Sequence, residues 1–228
     1  MIHTMKMAEI SFPQLNVHAA LLHKVRGYFG REFLKYELLH NHQSGTNKVI
    51  YRYPAIQFKS NSKLSIAGYG PEAIAILREI FLDTHTIDID GEKIAIKESQ
   101  MIIKEIEFGE DGNTYDYEFI SPWVALNQRN YSRFSSIGDN TQRNDMLNSI
   151  LINNIISFCK FAGYTVKDRL RPNTRLSERQ TDLKGKTLMA FDGEFKINFL
   201  LPDDLGLGKS TSRGYGNIIH KKAMHNEC

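Results

Sequence analysis

Two stretches of this 228-residue sequence carry residue types and spacings that could do chemistry. The first is His40-Asn41-His42, followed by Lys48, Tyr51, Arg52 and Tyr53. Histidine titrates near neutrality, so a close pair can take a proton from one group and give one to another. In extended backbone, residues two apart share a face, which would turn both imidazoles toward one substrate. The same spacing suits a metal, but no cysteine and no obvious carboxylate lies close in sequence to complete a ligand set. Two surface histidines in a loop are the third reading. The remaining histidines, at 3, 18, 23, 85, 220 and 225, have no such company.

The second stretch, Pro202 to Ile218, places glycines at 206, 208, 214 and 216 around Lys209, Ser210, Thr211, Ser212 and Arg213. Without a Cβ, such a chain can bring successive N–H groups close to a phosphate. Two familiar motifs fail on spacing. A P-loop needs glycine where Asp203 stands, and a dinucleotide fingerprint needs a third glycine where Thr211 stands. A flexible Gly/Ser loop is the plain alternative. Phe195, Ile197, Phe199 and Leu200 before the loop, and Tyr215, Ile218 and Ile219 after it, argue that it is held in place.

Composition sets the frame for both stretches. An apolar share of 41% and a charged share of 24% are ordinary for a globular protein. A net charge of only +3 means that any polyanion-binding surface must be local. Basic residues gather at Lys160, Lys167, Arg169, Arg171, Arg175, Arg179, Lys184 and Lys186. That run reads as a solvated face or, just upstream of the glycines, as a groove for a nucleic-acid backbone. Cys159 and Cys228 cannot build a disulfide framework, which predicts a reducing compartment. With no apolar run near the roughly 20 residues that span a bilayer, and no signal segment, the expected place is the cytoplasm, with no membrane partner.

The positioning elements follow in order. Strands are predicted over 6–12, 49–58, 64–66, 86–89, 93–96 and 101–108, with helices over 17–34 and 71–81. Glu110-Asp111-Gly112-Asn113 is the best break. Beyond it come a strand over 115–126, a long helix over 140–161, strands over 164–170, 187–191 and 194–201, and the glycine stretch. Each half begins βαβ, so the expected fold is α+β: two tandem ferredoxin-like βαββαβ domains, 1–112 and 113–228.

The spacing Gly206-Leu-Gly208, five residues, Gly214-Tyr-Gly216 resembles the glycine-rich signature of the CRISPR-associated Cas-six endoribonucleases. Leu39-His-Asn-His, Val49-Ile-Tyr-Arg-Tyr-Pro-Ala-Ile-Gln-Phe, Val25-Arg-Gly-Tyr-Phe-Gly and Ser121-Pro-Trp-Val-Ala-Leu-Asn are similar to subgroup b of that family. The resemblance covers nearly the whole chain. It implies cleavage of CRISPR repeat RNA without metal or other cofactor, by a 2′-hydroxyl that leaves a 2′,3′-cyclic phosphate and a 5′-hydroxyl. His40 and His42 would move the protons, with Tyr51, or Tyr53 in its place, orienting or donating, and Lys48 or Arg52 supplying charge. Lys209, Ser210 and Arg213, on the ribbon of Gly206, Gly208, Gly214 and Gly216, would hold RNA phosphates, with Arg169, Arg171 and Arg175 along a stem. Trp123, Tyr131 and Phe134 could stack on bases but read better as core or interface. The resemblance leaves open a homodimer and contact with other CRISPR effector subunits. Two rival readings are a non-cleaving RNA-binding subunit and a nucleotide-dependent enzyme using Gly208-Lys-Ser-Thr for phosphate.

Overall fold

Alternation of apolar residues along Ile2–Phe12 makes β1, which lies inside a four-stranded sheet. Its neighbours are β2 (Ile56–Asn61), β3 (Lys63–Tyr69) and β6 (Gln100–Gly109), in the order β2-β3-β1-β6 with every pair antiparallel. The computed structural model describes residues 1–40, 53–61, 63–183 and 185–221. The 49–52 part of the strand expected over 49–58, residue 62 of the turn, His42, Lys48, Tyr51, Arg52, Lys184 and Cys228 lie outside those residues.

Helices α1 (Leu22–Glu32) and α3 (Pro71–Asp83) supply the two crossovers, and α2 (Glu37–His40) is a single turn following α1. Gly70, at φ +84°, turns the chain out of β3 so that Pro71 opens α3 in its favoured first position. The expected helix over 17–34 is shorter, because His18 caps a 3-10 turn over Ala19–Leu21 that precedes it. A hairpin, β4 (Thr86–Ile89) and β5 (Glu92–Ala95), is inserted before β6.

The second half repeats the plan. Its sheet orders β10 (Ile218–His220), β7 (Tyr115–Trp123), β9 (Lys186–Ile197) and β8 (Asn173–Leu183). That is again fourth-first-third-second, the ferredoxin-like order, so the fold is α+β with two tandem units. α5 (Asn140–Phe161) is the first crossover; its N-terminal N–H groups are capped by Asp139, whose carboxylate accepts from Thr141 and Gln142 at 2.6 and 3.1 Å. The second crossover, residues 198–217, carries the glycine stretch and one 3-10 turn, Thr211–Arg213, where a helix would otherwise lie.

Three expectations change. Residues 164–170 form no strand; the basic run beyond them is β8, an edge strand. The two strands expected over 187–201 are the single strand β9, because Asp192-Gly193 does not turn. Gly193 takes φ +128° where a Cβ would lie 2.2 Å from the Arg175 carbonyl oxygen of β8. A helix not anticipated, α4 (Gln128–Ser136), starts at Asn127, whose side chain accepts from the Asn130 N–H at 2.7 Å.

The first sheet packs apolar side chains on both faces, although most of its edge strand β6 is exposed. Ala8, Ile10, Phe12, Ile56, Phe58, Leu64 and Ile66 pack under α1 and α3. Met7, Tyr53, Ala67, Tyr69, Ile106 and Phe108 join a second cluster with Trp123, Phe158, Phe191 and Phe195 from the other half. Phe158 of α5 meets Tyr53 and Phe108 at ring distances of 5.3 and 5.0 Å. At about 1.5–3 kcal/mol per large apolar side chain removed from water, this shared core holds the halves together. No helix among the described residues is long and apolar enough to cross a membrane.

Candidate active site

Residues 198–217 leave β9 and return to β10 pinned against the first half. At Gly206 the N–H donates to Gln57 Oε1 at 3.1 Å and the carbonyl accepts from the Tyr53 hydroxyl at 2.9 Å. Gln57 Nε2 also donates to that hydroxyl, at 2.9 Å. Gln57 is fully buried and Tyr53 nearly so, and burial pushes the Tyr53 phenol far above its ordinary pKa, so it keeps its proton as a donor. A few residues earlier, the buried Lys59 ammonium donates to the Asp204 carbonyl and, at 3.3 Å, to the Tyr69 hydroxyl. Asn61 Nδ2 donates to Asp204 Oδ1 at 3.0 Å.

The four glycines approach protein, not open space. A Cβ at Gly206 would lie 2.7 Å from Thr211 Cβ, one at Gly208 2.6 Å from Trp123 Nε1, one at Gly214 2.3 Å from Leu22 Cδ1, and one at Gly216 1.9 Å from the Leu207 carbonyl oxygen. Between them Lys209 is exposed, its own N–H held by the Val124 carbonyl at 2.9 Å. Lys209 and Ser210 border a groove of about 610 Å³ whose lining includes Gln128, Tyr131, Arg179 and Gln180. Tyr131 is 48% exposed there, whereas Trp123 and Phe134 are core residues, Trp123 stacked on Phe119 and donating to Asn154 Oδ1 at 3.1 Å.

His40 ends α2, so the period-of-two argument for extended backbone does not describe its own backbone. Its imidazole lies against α1: a Cβ on Gly30 would be 3.0 Å from His40 Cε1. Eight residues earlier on the same helix, Leu22 meets Gly214. α1 thus touches both chemistry-bearing stretches. The other basic residues lie elsewhere. Arg175 and Arg179 on β8 pair with Glu194 and Asp192 of β9 at 3.5 and 2.9 Å. Arg169 and Arg171 are exposed and anchored through their main chain to Asn198. Among the described residues, no three His, Cys, Asp or Glu side chains form a group that could hold a metal ion.

Residues 3–107 match the family model of the Cas6b N-terminal domain, and residues 109–221 match that of the Cas6b C-terminal domain. The chain belongs to the Cas6b family. A crystal structure of Cas6b superposes on this chain with a TM-score of 0.89 at 31% identity, covering 96% of this chain and 100% of the other. A second, described as the CRISPR RNA processing endoribonuclease Cas6b, gives 0.78 at 28% identity over 96% of this chain and 100% of that one. An uncharacterized protein of Methanocaldococcus jannaschii is 34% identical over 142 residues, 62% of this chain and 96% of that protein. A Cas6-related protein from Pyrococcus furiosus shares the fold alone, with a TM-score of 0.56 at 12% identity over 97% of this chain and 100% of that one.

Gln57 and Lys59 of this Cas6b chain were not legible as ribbon-holding residues. Alternation with Ile56 and Phe58 marks them as a solvent face, and nothing local says that residues some 150 positions later cover it. Their burial has a measurable consequence. Desolvation lowers the Lys59 pKa to about 8, with Asp204 and Glu9 opposing the shift. Between about pH 8 and the unfolded value near 10.5, the folded amine is neutral while the unfolded one is charged, so unfolding takes up a proton. Stability must therefore rise with pH across that window, by about 3 kcal/mol in all. Urea unfolding of wild type and Lys59→Met at pH 7.5, 8.5 and 9.5 should show the difference between them changing by about 2 kcal/mol in favour of wild type as pH rises. A pH-independent difference would place the amine in contact with water.

Proposed function

We propose that this chain cuts CRISPR repeat RNA in precursor transcripts, in the cytoplasm and without a metal ion. The 2′-hydroxyl attacks the adjacent phosphorus, its proton passes to one imidazole, and the departing 5′-oxygen takes a proton from the other. The products are a 2′,3′-cyclic phosphate and a 5′-hydroxyl. His40 and His42 carry the proton transfers, Tyr51 orients the substrate, and Lys48 or Arg52 stabilises the phosphorane. Lys209, Ser210 and Arg213 hold backbone phosphates on the ribbon that Gly206, Gly208, Gly214 and Gly216 shape, with Arg169, Arg171 and Arg175 along the flank.

The observation that carries this reading is the double role of α1, which receives the ribbon at Leu22 and His40 at Gly30. It supports a single strand being gripped on one side and cut on the other. Family membership and the groove beside Lys209 lend further support. Tyr53 is the weaker candidate for the tyrosine role, because its hydroxyl is engaged with Gly206 and Gln57.

Incubation with a cognate repeat in EDTA tests the reading. The expected downstream fragment accepts phosphate from polynucleotide kinase without prior dephosphorylation, and the upstream fragment resists ligation until its cyclic end is opened and the phosphate removed. A 2′-deoxy substitution at the cut nucleotide should block cleavage. Tight binding with no product would select the non-cleaving subunit, and cutting that EDTA abolishes would require a metal.

A further inference from the structure

Arg26 stands on α1 between the two contacts just described, four residues after Leu22 and four before Gly30. Residues four apart lie on one face of a helix, about 6 Å between Cβ atoms, so Leu22, Arg26 and Gly30 form a stripe that runs from the glycine ribbon to His40. Opposite the first turn of that stripe is the 3-10 turn Thr211–Arg213. Arg213 is half-buried there, and its Nε is enclosed with no hydrogen-bond partner among the described residues.

The two guanidinium groups lie near enough for their charges to repel. Burial lowers the Arg26 pKa to about 10, and the charge of Arg213 lowers it further in the same sense. Burial also lowers that of Arg213. Neither residue forms an ion pair among the described residues, although Arg143, Arg175 and Arg179 all find a carboxylate. Residues 41–52, which follow His40, contain no aspartate or glutamate that could neutralise the pair. Two partly desolvated like charges cost free energy in the folded protein unless an anion joins them. Guanidinium forks suit the paired oxygens of a phosphodiester better than they suit halide or carbonyl oxygen.

We infer that Arg26 and Arg213 together form a binding site for one RNA phosphodiester, one helical turn from His40. The inference rests on the substrate class proposed above and adds a residue, Arg26, to the substrate-holding set. A phosphate gripped from both sides at this point would fix the strand next to the imidazole, as the in-line attack of a 2′-hydroxyl demands.

The test compares the full chain with Arg26→Gln, Arg213→Gln and, as a charge-matched control on the β4–β5 hairpin, Lys93→Gln. Sulfate at constant ionic strength is the first probe, read as melting temperature. Wild type and Lys93→Gln should gain stability at low sulfate concentration beyond the general salting effect, and both arginine variants should lose that gain. Without sulfate, Arg26→Gln should melt at or above the wild-type temperature, since a repulsion has been removed. The second probe is a repeat RNA carrying 2′-deoxyribose at the cut nucleotide. Each arginine variant should bind it about tenfold more weakly, with the slope of log affinity against log salt smaller by about 0.7, the value for one single-strand phosphate contact. An Arg26→Gln protein that melts well below wild type and keeps the full salt slope would make Arg26 a structural residue and overturn the inference. An unchanged sulfate response in both arginine variants would overturn it as well. If the repeat is never cut while the sulfate and salt-slope results hold, the nuclease reading fails and the anion site stands.

Discussion

Replacing His40 and His42 together by alanine is expected to remove detectable cutting of a cognate repeat while leaving its binding within a few-fold of wild type. A 2′-hydroxyl is a poor nucleophile until its proton is taken, and a 5′-alkoxide is a poor leaving group until one is supplied. Each positioned proton carrier contributes about 10²–10⁴ in rate, so either single variant should lose that much. With one imidazole as base and one as acid, kcat/KM of the wild type should pass through a maximum in pH, and each single variant should keep only one limb of that curve. His40→Gln beside His40→Ala separates chemistry from packing. The imidazole of His40 fills the space over Gly30, so both variants alter that contact, but only the loss of proton transfer removes a limb of the pH profile. Undiminished cutting by the double variant would take both residues out of the mechanism.

How much of this was readable in the sequence depends on how local the determining interaction is. α5 was legible to its residue bounds, because a long apolar periodicity ended by Gly163 needs no tertiary partner to be recognised. Gly70-Pro71 likewise announced α3. β8 was hidden because its alternation is carried by Thr174 and Leu176 among exposed charged and polar residues, which made an edge strand read as a charge run. The continuity of β9 through Gly193 was not legible, since the glycine there answers the pressure of the β8 backbone. The glycine stretch was recognised as a place of close approach, but spacing alone could not say what approaches. Protein atoms supplied by Leu22, Trp123 and Leu207 fill the positions that side chains would take. Of the side chains between the glycines, Lys209 is exposed and Ser210 and Arg213 are half-buried. Arg26 gave no local sign, because only the packing of α1 on the turn after Ser210 brings it within reach of the charge of Arg213.

The packing account makes Gly216→Ala one of the most damaging single-methyl changes available in this chain. Gly216 takes φ +67°, a left-handed conformation that costs an L-residue about 1–2 kcal/mol. Its new Cβ would lie 1.9 Å from the carbonyl oxygen of Leu207 and 3.0 Å from that carbonyl carbon. The obstructing atoms are backbone, and they are tied down: Leu207 N–H donates to the Gly216 carbonyl at 2.9 Å, and Gly216 N–H donates to the Pro122 carbonyl at 2.9 Å. Relief therefore requires the ribbon to separate from its return strand, breaking those bonds and loosening the clamp of Tyr53 and Gln57 on Gly206 next door. A loss of about 3–5 kcal/mol follows, or a melting temperature lower by roughly 10 °C in a chain of this size. Gly112→Ala is the matched comparison: its φ is +84° but no atom lies within 4 Å of the added methyl, so only the backbone term of about 1–2 kcal/mol applies. Melting both variants measures the difference directly. Should Gly216→Ala melt like Gly112→Ala and yet bind repeat RNA far more weakly, the glycine serves contact with RNA, and packing does not explain its place in the ribbon.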